Sequence, residues 1–204
     1  VTHYALASYR AAETVNPALV LGNSLYDLRA TWALCSGQAK QPDWLRQDVA
    51  GLIGSWPAVE PSLSELAQVA EAARLAGRLG SAARELTQLA APFVPARIFC
   101  AASNYIEHAN EMGTVLAAKA TSRPYMFLKT ASSVIGPNEV VRIPPETSKP
   151  DWEVELAAVI GRRARRVAAH EALSYVAGYT IVNDVSARDL TRRTDWFQGK
   201  NHDT

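Results

Sequence analysis

The sequence predicts an α+β protein built in two parts. Three observations carry that prediction: an N-terminal stretch rich in Ala and Leu with one strong helical periodicity, a two-proline break at 91–95, and short β-like runs beyond it. The break divides the chain into a small α/β domain over 1–92 and a second, mostly β domain over 93–204.

In the first part, the alternating HYALASY at 3–9 reads as a strand, and ALVLG at 18–22 as another that could pair with it in a small sheet. From Tyr26 onward the pattern turns helical. Leu63, Leu66, Ala67, Ala70 and Ala73 recur at three- and four-residue spacing after Ser62, which has Glu65 three residues on and resembles a capping box. APFVP then interrupts the helical pattern, because proline lacks a backbone N–H and clashes with the preceding turn.

Beyond the break, ARIFCAAS at 96–103 opens a series of β-like runs: PYMFLKT, SSVIG, VVRIP, WEVELAAVIG and AGYTIVNDVS. Helices are expected only around 104–112 and in HEALSYV at 170–176. The runs are too irregularly spaced for a repeat architecture.

Composition excludes several function classes. Hydrophobic residues make up 48% and charged residues 20% of the 204 positions, as in an ordinary globular protein. With 21 basic against 20 acidic residues the net charge is +1, so no global field draws in nucleic acid or an anionic membrane. The RRARR run at 162–166 follows Gly161 and reads as a solvated turn. Cys35 and Cys100 fit neither a Cys-x-x-Cys motif nor a disulfide framework. No run approaches the roughly 18 apolar residues of a membrane span, and nothing at the start reads as a signal peptide. A cytoplasmic protein is expected, with no membrane or nucleic-acid partner. Dinucleotide and phosphate loops and a Gly-x-Ser-x-Gly elbow are absent from the sequence.

Chemistry concentrates in DWEVELAAVI at 151–160. Glu153 and Glu155 stand two positions apart in an otherwise apolar run, so on a strand both leave the same face, ~7 Å apart at Cα. Two like charges there are costly unless a cation or a shared proton relieves them. Asp184, at the end of the strand-like GYTIV, could reach the pair if the two strands are neighbours. Three carboxylates without Cys or clustered His describe a hard site suited to Mg²⁺ or Mn²⁺ rather than Zn²⁺ or Cu²⁺. Spacing alone leaves a plainer alternative open, with both glutamates facing solvent and Asp184 capping a turn. His108 and Glu111 share a helix face at i, i+3, where a carboxylate can orient an imidazole to activate water, or where both are a surface pair. Lys129 and Lys200 are candidates to stabilise a developing oxyanion or enolate.

NYIEHANEMG, FLKTASSVIGP, DWEVELAAVIG, GYTIVNDVSARD and GKNHDT occur in the order and rough spacing of the fumarylacetoacetate hydrolase family, and the chain resembles that family over about 95–204. The resemblance implies a mixed β-sandwich roll as catalytic domain, preceded by the small α/β domain, and commonly a homodimer. It implies that Glu153, Glu155 and Asp184 ligate Mg²⁺ or Mn²⁺. It implies a catalytic dyad of His108 and Glu111 on a lid, an active-site Arg188, and a substrate-contacting Lys200. Lys129, outside what the resemblance carries over, is a further candidate substrate contact by its residue type. In the family more sequence follows the Gly-Lys motif, so this chain is expected to be the front portion of a longer enzyme. RRTDWFQ at 192–198 is short for the connection, and Thr191 stands where several relatives carry Gln.

The activity expected from the resemblance is hydrolytic carbon–carbon cleavage of a 2,4-diketo acid, an acylpyruvate or a sugar-derived acid, to pyruvate and a second carboxylic acid. Relatives of the family lead to one alternative, decarboxylation, isomerisation or dehydration of a 2-oxo acid through an enolate, and the apparent truncation leads to another, a non-catalytic relative.

Overall fold

The computed structural model describes residues 2–37, 40–102, 104–111, 113, 115, 123–191 and 199–201, with the side chain of His108 outside the description. The described elements are of mixed α and β type, as the sequence predicts, and they fall into two compact units. One comprises residues 1–94, 135–140 and 154–182, the other 95–134, 141–153 and 183–204.

The first unit opens with three antiparallel strands, β1 (Ala5–Ala11), β2 (Thr14–Leu21) and β3 (Ser24–Asp27). Short strands β4 (Ala83–Arg84) and β5 (Leu89–Ala90) complete a five-stranded sheet of order β4-β3-β2-β1-β5. The expected pairing of the first two runs is therefore present, in the register Ala7↔Ala18, and β2 begins four residues before ALVLG. Pro17 is tolerated inside β2 because β3 ends at the Ala18↔Asp27 pair, so no neighbour needs an N–H from Pro17 on that side.

Tyr26 lies in β3, and helix α1 (Leu28–Cys35) starts only after Asp27, whose carboxylate accepts the Ala30 N–H at 2.6 Å as its N-cap. A short α2 (Val49–Gly54) follows, then α3 (Trp56–Leu75). The helix predicted after Ser62 is α3, but it begins six residues before Ser62. Ser55 is its N-cap residue, Pro57 occupies its first turn, and Ser62 and Glu65 lie inside it rather than capping it. Proline at the first turn forfeits no intrahelical bond, so Pro57 is accommodated at the start, whereas Pro61 lies inside the helix and gives up one backbone bond. The predicted apolar stripe is the buried face: Leu63, Leu66, Ala67, Ala70 and Ala73, joined by Val59, are at most 4% exposed. Leu63 and Leu66 pack with Leu19, Leu28 and Leu52, and Ala67, Ala70 and Ala73 with Leu21 and Leu79.

The first unit also holds β9 (Val154–Ile160) and β10 (Val176–Asn183), which pair with each other, although β10's last residue, Asn183, is assigned to the second unit. HEALSYV is a 3₁₀ segment, Ala169–Tyr175, that leads directly into β10. Gly161 is fixed by space: a Cβ there would stand 2.6 Å from that of Ala177 and 3.0 Å from that of Trp56.

In the second unit, β6 (Ile98–Ala102) pairs antiparallel with β7 (Tyr125–Lys129), and α4 (Ile106–Glu111) lies between them in sequence. Two-residue strands β8 (Pro150–Asp151) and β11 (Ser186–Ala187) pair through Ser186↔Asp151. SSVIG and VVRIP form no strand; residues 134–149 are turns and loop. Pro137, Pro144 and Pro145 remove the donors a ladder would need. Among the described residues no helix is long and apolar enough to cross a membrane.

Candidate metal centre

The turn between β10 and β11 and the segment between β8 and β9 run side by side. The Asp184 N–H donates to the Glu153 carbonyl at 2.8 Å, the Glu153 N–H to Asn183 Oδ1 at 3.1 Å, and the Arg188 N–H to the Lys149 carbonyl at 2.9 Å. This ladder makes the two acidic segments neighbours. Glu153, Glu155 and Asp184 each offer a carboxylate oxygen, and those atoms lie within 4.8 Å of one another. Glu153 and Glu155 are half-buried and Asp184 is 3% exposed. Three oxygen donors this close form a set that fits a hard divalent cation, which needs oxygen ligands and tolerates carboxylates crowded around it.

Cations already line the cluster. Lys200 Nζ donates to Glu153 Oε2 at 2.8 Å, Asp184 Oδ2 at 2.9 Å and Ser186 Oγ at 2.7 Å, so each of its three hydrogens has an acceptor. Lys129 Nζ donates to Asp184 Oδ1 at 2.6 Å and to the Val185 carbonyl at 3.0 Å. Arg188 bridges Asp151 Oδ2 through Nε and Glu153 Oε1 through Nη2, both at 2.8 Å. Each oxygen of Glu153 and of Asp184 thus accepts a charge-assisted bond, and Glu153 Oε1 also accepts from Ser186 Oγ at 3.4 Å.

Local sequence explains how these side chains are held. Lys200 follows Gly199, where a Cβ would meet Thr191 Cγ2 at 2.5 Å, the Thr191 nitrogen at 2.7 Å and the Ala187 carbonyl at 2.8 Å; only glycine lets the chain pass there. Asn201 then clamps the end of β7, donating to the Leu128 carbonyl at 2.8 Å and accepting the Thr130 N–H at 3.1 Å. Asp189 secures the approach to β8 by accepting from Thr147 Oγ1 at 2.6 Å and from the Ser148 N–H at 3.0 Å. Those bonds, the Thr147 hydroxyl first, hold the Asp189 carboxyl below its usual range.

Of the residues singled out in the sequence, the structure brings Glu153, Glu155, Asp184, Arg188, Lys129 and Lys200 together. Glu111 is exposed at the end of α4, and the His108 side chain, with the dyad it was expected to form, lies outside the described residues. Asp151, Ser186 and Asn201 were missed. Asp151 opens the Glu-x-Glu run and Ser186 stands two residues after Asp184, so their proximity was legible, but their partners are set by tertiary pairing.

The family model for the fumarylacetoacetate (FAA) hydrolase C-terminal region matches residues 97–204. The chain belongs to the fumarylacetoacetate hydrolase family. A human mitochondrial oxaloacetate tautomerase is 42% identical over 123 residues, which are 59% of this chain and 38% of that protein. A Dictyostelium discoideum homologue of fumarylacetoacetate hydrolase domain-containing protein 2 is also 42% identical over 123 residues, 59% of this chain and 39% of its own. The chain thus spans well under half the length of these relatives. Among solved structures, a fumarylacetoacetate hydrolase from Exiguobacterium antarcticum superposes with a TM-score of 0.62 at 23% identity, over 98% of this chain and 63% of that one. A 5-carboxymethyl-2-hydroxymuconate delta-isomerase from Mycobacterium smegmatis gives 0.60 at 25% identity, over 98% and 61%. The fold is that of the family.

Proposed function

We propose that this chain carries the metal site of an enzyme that works on a 2-oxo acid through its enolate, and that keto–enol tautomerisation of a dicarboxylic 2-oxo acid of the oxaloacetate type is its reaction. The observation that carries this reading is the trio Glu153, Glu155 and Asp184, within 4.8 Å of one another and bordered by the buried ammonium of Lys200. The names of its relatives, at about 40% identity over the same region, support the substrate class.

The three carboxylates would hold Mg²⁺ or Mn²⁺, which when bound supplies positive charge that favours an enolate over its keto form. Lys200 adds a second positive charge beside the same oxygens, and to Arg188, held between Asp151 and Glu153, we assign the binding of a substrate carboxylate. His108, with Glu111, is the pair we assign to proton transfer: the C3 proton is taken up as the enolate forms, and a proton returns to oxygen to give the enol.

Hydrolysis of an acylpyruvate is the second reading, favoured by the placement of His108 and Glu111 in one helix, α4. There the pair would take a proton from water as it attacks the distal carbonyl. The carbon–carbon bond then breaks, its electrons form a pyruvate enolate, and protonation gives pyruvate.

With Mg²⁺, the purified chain is expected to speed the decay of enol oxaloacetate followed by its ultraviolet absorbance, and chelation should abolish the effect. Pyruvate release from acylpyruvates without oxaloacetate tautomerisation would replace the first reading with the second; neither activity would overturn both. With two cysteines 65 residues apart and no Cys-x-x-Cys motif or disulfide framework in the sequence, we place the protein in a reducing compartment, cytoplasmic or, as the relatives' names have it for them, mitochondrial.

A further inference from the structure

Among the described residues Lys129 has two partners, and both belong to the turn that presents Asp184. Its ammonium lies 2.6 Å from Asp184 Oδ1 and 3.0 Å from the Val185 carbonyl, with side-chain exposures of 12% for the lysine and 2% for the aspartate. Its base is fixed as firmly as its tip. Lys129 closes β7 opposite Ile98, and the residues on either side of it, Leu128 and Thr130, are the two that Asn201 clamps. The torsion that turns an aspartate carboxylate is soft and roughly two-fold, so a buried Asp asked to aim one oxygen at an ion needs outside partners to stop it rotating.

We propose that Lys129 is a positioning residue that orients Asp184 for the metal ion, and not a substrate contact. The inference rests on the reading of Glu153, Glu155 and Asp184 as the metal ligands. It has an unusual sign. By charge alone, Lys129 repels a cation at this site, and removing it should tighten metal binding. As the partner that holds the carboxylate in place, its removal should weaken binding instead, by the 10- to 100-fold typical of groups behind a metal ligand.

The test is Mn²⁺ titration of the wild-type chain, Lys129→Met and Lys129→Arg by calorimetry, with circular dichroism to verify folding. Lys129→Met is expected to lose about 10-fold or more in affinity, and Lys129→Arg, which restores a charged donor, to recover most of it. Mn²⁺ binding by Lys129→Met as tight as wild type or tighter would overturn the proposal and leave the metal site standing. A wild type that binds no Mn²⁺ would overturn both. Should Lys129→Met not fold, the wild type decides: Mn²⁺-loaded protein is treated with an amine-acylating reagent, with and without oxalate, and Lys129 is followed by peptide mass spectrometry. Unchanged labelling is the expected result, and protection appearing only with oxalate would make Lys129 a substrate contact.

Discussion

At the scale of single residues, Glu153 ties several parts of the described site together. One oxygen accepts from Arg188, the other from Lys200, and its backbone carbonyl receives the Asp184 N–H. Glu153→Gln keeps the shape and removes the charge, so it should abolish Mn²⁺ binding by calorimetry while the far-ultraviolet dichroism is retained. An affinity within twofold of wild type would remove Glu153 from the ligand set. The paired glutamates were legible because a charge at every second position of an apolar run is an electrostatic conflict wherever it occurs. Which face of that run is buried was not legible. An apolar run suggests buried valines and outward charges, yet Val154, Leu156 and Ile160 are 54–64% exposed while Glu153 and Glu155 are half-buried. Alternation sets two faces, but only tertiary pairing chooses between them.

At the scale of elements, helix starts depend on the interplay of caps and prolines. The apolar stripe of α3 was read correctly because 3.6-residue periodicity is local, whereas its start was misplaced because Ser62 and Glu65 mimic a cap inside a helix that Ser55 and Pro57 had already begun. The start of α1 was also misread, since Tyr26 belongs to β3. Asp27 marks that transition and does two jobs there: Oδ1 caps α1 at the Ala30 N–H, and Oδ2 accepts the hydroxyl of Tyr9, a residue 3% exposed. Burial and the bond to Asp27 push the Tyr9 hydroxyl pKa up. Asp27→Ala should therefore cost more than a lost cap, about 0.5–2 kcal/mol for the cap and about 1–3 kcal/mol for the Tyr9 hydroxyl, which loses its acceptor and keeps Arg84 as a partner. Urea unfolding measures the sum, and Tyr9→Phe in the same background should recover the second part. A double variant no more stable than Asp27→Ala would show that the hydroxyl had found another partner.

At the scale of the whole chain, the two units differ in what holds them. The first has a dense apolar core, with Leu19, Leu21, Leu28, Leu52 and Leu63 fully buried, while in the second the buried Asp184, Ser186 and Lys200 gather beside Glu153. Burying the charges of Asp184 and Lys200 is costly unless they are mutually paired, and a bound cation would add to the pairing. A ligand that binds only the folded site stabilises it by about 2.7 kcal/mol at a concentration 100 times its dissociation constant. Amides that exchange by local opening sense this only if their own opening breaks the site. Mn²⁺ should therefore slow hydrogen exchange at 125–130, 149–155, 184–188 and 199–201, and leave the core of β1, β2 and α3 unchanged. Mass spectrometry of peptides from metal-loaded and chelator-treated protein makes the comparison. Equal protection of β1 and α3 would mean that the chain opens as one cooperative body, whereas protection confined to the four segments would make the metal centre a stability unit of its own, supported by the charges packed around it and not by the leucine core.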